Sequence, residues 1–286
     1  MRFLKNTWLL LICVLPVVTL AQEGYITEYE VQYEVTYSID SLNLNQKTEE
    51  TVYLFSGKSY GVFLNHNEAN KEAIEAALDK MRSSGRMDYV KAGWRETNFR
   101  KNIYKDFSEN KVAIWMEIMD QPFRVKNPIM PLKWEMQEDS KEFMNYTVHK
   151  ATTIYAGRDY EAWFTLEIPI NDGPYIFYGL PGLIVELYDT ENHYHFKLKS
   201  IEKLEETKTW IIPEGKAIDR AEEATLLSKE LDAIIADVMR MFAGPGEITV
   251  QVDGKAVNAS EYKRIIIKDG GSYRRFDYDC TGTDLN

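Results

Sequence analysis

The sequence predicts an α+β fold dominated by a curved antiparallel β-sheet or half-barrel, with one or two helices covering a face. Three observations carry this: a long stretch of strict apolar/polar alternation near the N-terminus, a series of short alternating runs along the rest of the chain, and only two segments with helical periodicity.

The chain opens with a leader. Arg2 and Lys5 precede an apolar run from Trp8 to Leu20, interrupted only by Pro16 and Thr19. That run is too short to span a bilayer as a helix and has the flanks of a secretory signal. Small residues at Thr19 and Ala21 place cleavage between Ala21 and Gln22, so residues 1–21 are the expected signal peptide. Cys13 lies inside the run behind Ile12, the wrong place for lipid attachment. The expected address is outside the cytoplasm: periplasm, outer surface or medium. No later stretch is apolar enough to suggest a transmembrane helix.

The mature chain then has 265 residues (286 − 21) and no evident linker, so residues 22–286 read as a single β-rich domain. Losing Arg2 and Lys5 leaves 32 basic side chains (34 − 2) against 45 acidic ones, a formal charge of −13. Such a field repels nucleic acid and anionic lipid surfaces, so neither is an expected partner. Cys280 is the sole cysteine left and has no intramolecular partner.

The first strand is the clearest. Tyr25, Tyr29, Val31, Tyr33, Val35 and Tyr37 occupy odd positions, while Glu28, Glu30, Gln32, Glu34 and Thr36 occupy even ones, with Thr27 alone breaking the apolar set. A straight strand of this length reaches about 43 Å, so a bend or bulge is expected. Further strands are expected at Thr51 to Phe55, Tyr60 to Leu64, Arg95 to Asp106, Val112 to Met119, Lys133 to Gln137, Glu142 to His149, Thr152 to Ala156, Tyr160 to Ile168, Leu183 to Tyr188 and Tyr194 to Ile201. Glu261 to Ile267 and Tyr273 to Tyr278 flank Asp269-Gly270-Gly271, a hairpin signal.

Helices are expected from Asn67 to Ser84, with Ile74, Ala77, Leu78 and Met81 on one face, and after Asp219. In the second, Asp219 and Glu222 have capping spacing, Leu227, Leu231, Ile234, Ile235, Val238, Met241 and Phe242 form an apolar stripe, and Gly244-Pro245-Gly246 ends it.

Residues 145–201 hold the most distinctive signature, above all Gly179-Leu180-Pro181-Gly182-Leu183-Ile184. Around it stand Lys150-Ala151-Thr152, Gly157-Arg158, Tyr160, Ala162-Trp163, Glu167-Ile168-Pro169-Ile170 and Gly173-Pro174. Here the chain resembles the GLPGLI family, bacterial proteins with signal peptides named for the hexapeptide. The resemblance implies an exported β-rich protein and supplies no reaction, cofactor or catalytic residue. Many members carry a cysteine near the position of Val148, which this chain lacks.

Leu180-Pro181-Gly182-Leu183 fits a type II turn, with proline setting φ at the second position and Gly182 supplying positive φ at the third. One reading is a tight corner between strands. The other is a rigid lip for a ligand or partner, built from Gly173, Pro174, Tyr175, Gly179, Leu180, Pro181 and Gly182, with Trp163 nearby. Phosphate binding is not expected, because no Lys-Ser or Lys-Thr follows the glycines.

His193 and His195 are two apart on an expected strand, so both face one way, a spacing open to a metal, with Asp189 and Glu191 adjacent. Glu161 and Glu167 form one of many carboxylate pairs that invite a glycosidase comparison. Neither a Gly-x-Ser-x-Gly elbow nor a His-Glu-x-x-His motif occurs, and no catalytic residue or cofactor is assigned. Trp163 shares its expected face with Glu161, Thr165 and Glu167, which suggests a second packed layer or a recognition surface. Three functional readings follow: a carrier for an apolar or lipid-like ligand, an accessory protein binding an outer-membrane receptor or transporter, and, third, an enzyme of unrecognised class.

Overall fold

The computed structural model describes residues 24–38, 47–82, 91–95, 97, 99–126, 132–241, 249–252 and 255–258. The leader, the Asp269-Gly270-Gly271 hairpin, Gly244-Pro245-Gly246 and Cys280 lie outside the described residues. In chain order the strands are β1 (Tyr25–Ser38), β2 (Lys47–Ser56), β3 (Tyr60–Leu64), β4 (Asn102–Asp106), β5 (Lys111–Ile118), β6 (Gln121–Val125), β7 (Glu135–Phe143), β8 (Tyr146–Tyr155), β9 (Arg158–Thr165), β10 (Leu183–Asp189), β11 (Tyr194–Trp210), β12 (Lys216–Ile218), β13 (Thr249–Val252) and β14 (Lys255–Asn258). The helices are α1 (His66–Ala69), α2 (Lys71–Arg82) and α3 (Arg220–Met241).

The first twelve strands form one sheet in the order β12-β6-β5-β4-β3-β2-β1-β11-β10-β9-β8-β7, and β13 pairs with β14 separately. The large sheet consists of two antiparallel meanders, β1 to β6 and β7 to β11, joined where β1 pairs with β11. It is open and does not close into a barrel. The far edge of β6 is taken in parallel by β12, through Lys216↔Phe123 to Ile218↔Val125, so it is not available to β7.

Alternation in β1 sorts as its sequence demands: Val31, Tyr33, Val35 and Tyr37 are fully buried in the main core. Thr27, the polar break in that series, is buried too; its hydroxyl donates to Lys208 O at 3.3 Å and accepts from Trp210 Nε1 at 3.1 Å. Register against β11 shifts between Thr27 and Tyr29 and between Gln32 and Tyr33, the irregularities expected of so long a strand. The opposite face of β2 to β5 carries a second cluster of Phe55, Val62, Leu64, Tyr104 and Trp115, against which Trp210 packs.

Several strand ends differ from expectation for one reason. Met119-Asp120, Met144-Asn145 and Ala156-Gly157 are two-residue hairpin turns in which both residues have positive φ. This is the backbone that Asn-Gly and Asp-Gly announce, built here mostly from residues that do not announce it. The expected strand Glu142 to His149 therefore spans the β7–β8 turn, and β6 was not expected. Met144 is half exposed at φ 50°, so Met144→Gly relieves the left-handed strain without losing core packing. Chemical denaturation should show Met144→Gly stabilised by about 0.5–1 kcal/mol.

The first helical segment breaks at Asn70, with Asn65 Oδ1 capping the Glu68 N–H of α1 at 3.0 Å and Ile74 of α2 buried. In α3, Asp219 Oδ1 accepts the Glu222 N–H at 2.9 Å, as its spacing predicts. Lys101–Glu223 (2.9 Å) and Arg100–Glu230 (2.7 Å) tie this helix to the segment entering β4. Among the described residues no helix is long and apolar enough to cross a membrane.

Candidate functional site

The segment between β9 and β10, residues 166–182, enters the sheet's inner face and stays there. Ile168, Ile170, Tyr175, Ile176, Phe177 and Leu180 all join the main core. Phe177 meets Tyr160 (4.6 Å between ring centroids) and Tyr155 (5.7 Å), while Tyr175 meets Phe63 edge-on at 6.0 Å. Backbone bonds fold the segment on itself: Phe177 N–H to Pro174 O, Gly179 N–H to Asn171 O, Leu183 N–H to Ile168 O and Ile184 N–H to Asp172 O, all 3.0–3.3 Å. Tyr175 sits at φ 55°, a conformation that a bulky residue holds only where its surroundings over-determine it.

Sheet register creates the anchor. Ser56 pairs with Gly61 and Gly61 with Lys105, so the three form one row across β2, β3 and β4 on the inner face. A Cβ at Gly61 would run into the Asp172 carboxyl group, with its Cγ at 3.0 Å; the bare glycine is therefore the space that the carboxylate fills. Lys105 Nζ is ion-paired with Asp172 Oδ1 and donates to Gly173 O at 2.7 Å. The Ser56 hydroxyl donates to Asp172 Oδ2 at 2.8 Å, and the Gly173 N–H donates to Oδ1 at 2.8 Å. Both charged side chains are completely buried. Burial pushes the Lys105 ammonium below its ordinary pKa against the opposing pull of Asp172. Burial, followed by the Asp172 charge, pushes the Tyr33 phenol up; its hydroxyl donates to Ile184 O at 2.7 Å.

The hexapeptide is thus a corner of an inserted plug, and its two glycines differ. Gly179 has φ +94° with open space where a Cβ would stand. Gly182 is not at positive φ, contrary to the type II turn expected of it. It is needed because a Cβ would fall on the carbonyl oxygen of Thr165, far inside van der Waals contact, with Thr165 C at 2.8 Å. Of the expected lip residues, Gly173, Pro174, Tyr175, Leu180 and Gly182 are buried, while Gly179 and Pro181 are exposed.

Trp163 points to the sheet's other side, where it is covered. Lys141 Nζ lies 4.1 Å from its ring centroid and bonds Glu186 at 2.6 Å; Lys150 Nζ bonds Glu161 at 2.9 Å. Tyr188 donates to Glu161 at 2.7 Å, and His195 Nε2 lies 2.8 Å from Glu186 Oε1. Burial opposes ionisation of Glu186, but hydrogen bonds from His195 and Lys141, with their charges, prevail and hold its pKa at about 2. A folded-state value below the unfolded one contributes stability that is present above the unfolded pKa and lost as pH falls towards 2. Thermal melts of Glu186→Gln should fall below the parent at neutral pH and converge on it between pH 4.5 and 2.

His193 and His195 do not converge: His195 turns to Glu186, and His193 Nδ1 lies 3.1 Å from Asp189 Oδ2 and 3.4 Å from Glu191 Oε2. Asp189, Glu191 and His193 present ligand atoms within 4.8 Å of one another, the set best able to hold a metal among the described residues. Arg158 already stands there, contacting His193 Nδ1 and lying 3.5 Å from Asp189 and 3.7 Å from Glu191, so the cation is a guanidinium. Glu161 and Glu167 are similarly engaged, Glu167 accepting the Thr147 N–H at 2.8 Å.

Sequence reading missed Lys105, Asp172 and Ser56. One signal was present: in Ile103-Tyr104-Lys105, alternation puts Lys105 on the same face as Ile103, so a lysine occupies a core parity.

Residues 155–186 match the family described as "Protein of unknown function (Porph_ging)". No curated protein matches the chain. Among solved structures, PNGF-II in space group P21 is similar at 12% identity and TM-score 0.51, over 71% of this chain and 34% of that one. A C2 crystal form of PNGF-II gives 13% identity and TM-score 0.49, over 71% and 33%. The chain spans about a third of the PNGF-II structure, and the likeness is one of fold.

Proposed function

We propose that the chain is an exported GLPGLI-type protein that acts by binding rather than catalysis, and that its ligand is an extended, basic segment of another cell-envelope protein. The observation that carries the reading is strand β7. It stands at the edge of the large sheet with β8 on one side and, among the described residues, no strand on the other. Eight of its nine residues are exposed, Glu135, Glu138, Asp139 and Glu142 among them. A long unpaired edge adds a partner strand through its backbone groups, while flanking charge selects the partner.

An apolar-ligand carrier is supported less well. The inner face is occupied by Tyr175, Ile176, Phe177 and Leu180, and clearing it means drawing Asp172 away from Lys105. Native mass spectrometry of mature protein purified gently from its envelope separates the readings. The proposal expects a co-purifying protein that Glu138→Lys with Asp139→Lys removes, while the variant keeps the parent melting temperature. A bound lipid-like mass, unaffected by those changes, would overturn it in favour of the carrier.

A further inference from the structure

Lys105 and Asp172 are 67 residues apart in sequence, and both side chains have zero exposure. Their setting resembles less a surface salt bridge than an enclosed reaction site. Nζ contacts Oδ1 directly, and Gly173 O accepts a second Nζ proton at 2.7 Å, fixing the amine's orientation. The Ser56 hydroxyl (to Oδ2) and the Gly173 N–H (to Oδ1), each at 2.8 Å, donate to the carboxyl oxygens. Gly61 brings the backbone of β3 against the carboxyl group, and Phe107 flanks the same spot.

We propose that Lys105 and Asp172 condense to an intramolecular amide, a covalent staple between β4 and the inserted segment. The starting ion pair becomes reactive when a proton passes from Nζ to Oδ1 along their hydrogen bond, giving amine and carboxylic acid. Burial weakens the hold of Lys105 on its proton, and Oδ1 is the atom in contact to receive it. Nζ then attacks Asp172 Cγ. Negative charge gathers on Oδ2, where the Ser56 hydroxyl already donates, as an oxyanion donor does in acyl transfer. The Cγ–Oδ1 bond breaks, and Oδ1 leaves with its proton and a second one from Nζ as water. Amine plus acid gives amide plus water, so no oxidant or activating group is required. The remaining N–H keeps its hydrogen bond to Gly173 O. Holding the two groups in contact supplies the effective concentration that separate molecules lack.

The experiment is an intact mass of the full mature chain under denaturing conditions, followed by tandem mass spectrometry of a tryptic digest. The expected result is a chain one water lighter than its sequence, uncleaved at Lys105, with the Lys105 peptide joined to the Asp172 peptide. Lys105→Arg should run at its full sequence mass, a readout that holds whether or not the variant folds. A parent chain at full sequence mass, or a lost water that maps to other residues, overturns the proposal. Cyclisation of an N-terminal Gln22 loses ammonia rather than water and maps elsewhere.

Discussion

Lys105→Ala should lose at least about 3–5 kcal/mol, the range for breaking a buried ion pair by removing one partner, with loss of the covalent link to Asp172 adding to it. Native domains hold only about 5–15 kcal/mol in all, so the variant should be largely unfolded at temperatures the parent survives. The cost is that of an abandoned anion. Asp172 would keep the Ser56 hydroxyl and the Gly173 N–H but lose the Lys105 ammonium in a site without solvent access. Asp172→Ala should cost a similar amount by stranding Lys105. Lys105→Ala combined with Asp172→Ala removes both charges and should cost clearly less than the sum of the single changes, the coupling expected of groups in contact. Urea unfolding of the four proteins in this cycle gives the answer. Additive losses would mean that the two residues do not act as a pair.

Gly182→Ala is the second large effect. A glycine-to-alanine change that merely disturbs a positive φ costs about 1 kcal/mol, and Gly179→Ala, with open space around it, should sit near that value. At Gly182 the added methyl meets the main chain of Thr165 at the end of β9, and a strand backbone cannot step aside as a side chain does. The variant should lose about 2–3 kcal/mol, the upper part of the overpacking range. Melting curves should therefore rank Gly182→Ala well below Gly179→Ala. The reverse order would restore a conformational role for Gly182.

Strand existence was legible wherever a local pattern records it. In β1 Val31, Tyr33, Val35 and Tyr37 are fully buried, because period-two alternation is a direct image of a sheet with one face covered. The Asp219–Glu222 cap was legible for the same reason: donor and acceptor are three residues apart. What the sequence did not disclose depends on pairing between distant segments. Ser56, Gly61 and Lys105 become one row only through the register of β2, β3 and β4, and Asp172 reaches them across 67 further residues. Gly182 looked like a turn glycine because the partner that forbids a side chain there, Thr165, is known only once the segment is seen folded against β9. Met119-Asp120 and Met144-Asn145 hid two hairpins because neither pair carries the glycine that normally marks positive φ.

That the segment between β9 and β10 is a fixed plug of the inner face, and not a lip or lid, is most directly tested by native-state hydrogen exchange. The amides of Gly173, Phe177, Leu183 and Ile184 all have intramolecular acceptors. They should exchange with the same opening free energy as those of Val31, Tyr33 and Val35 in β1, through global unfolding alone. Exchange at the segment many-fold faster than in β1 would mean that it lifts away while the sheet stays folded, contradicting the plug and returning the inner face to a ligand.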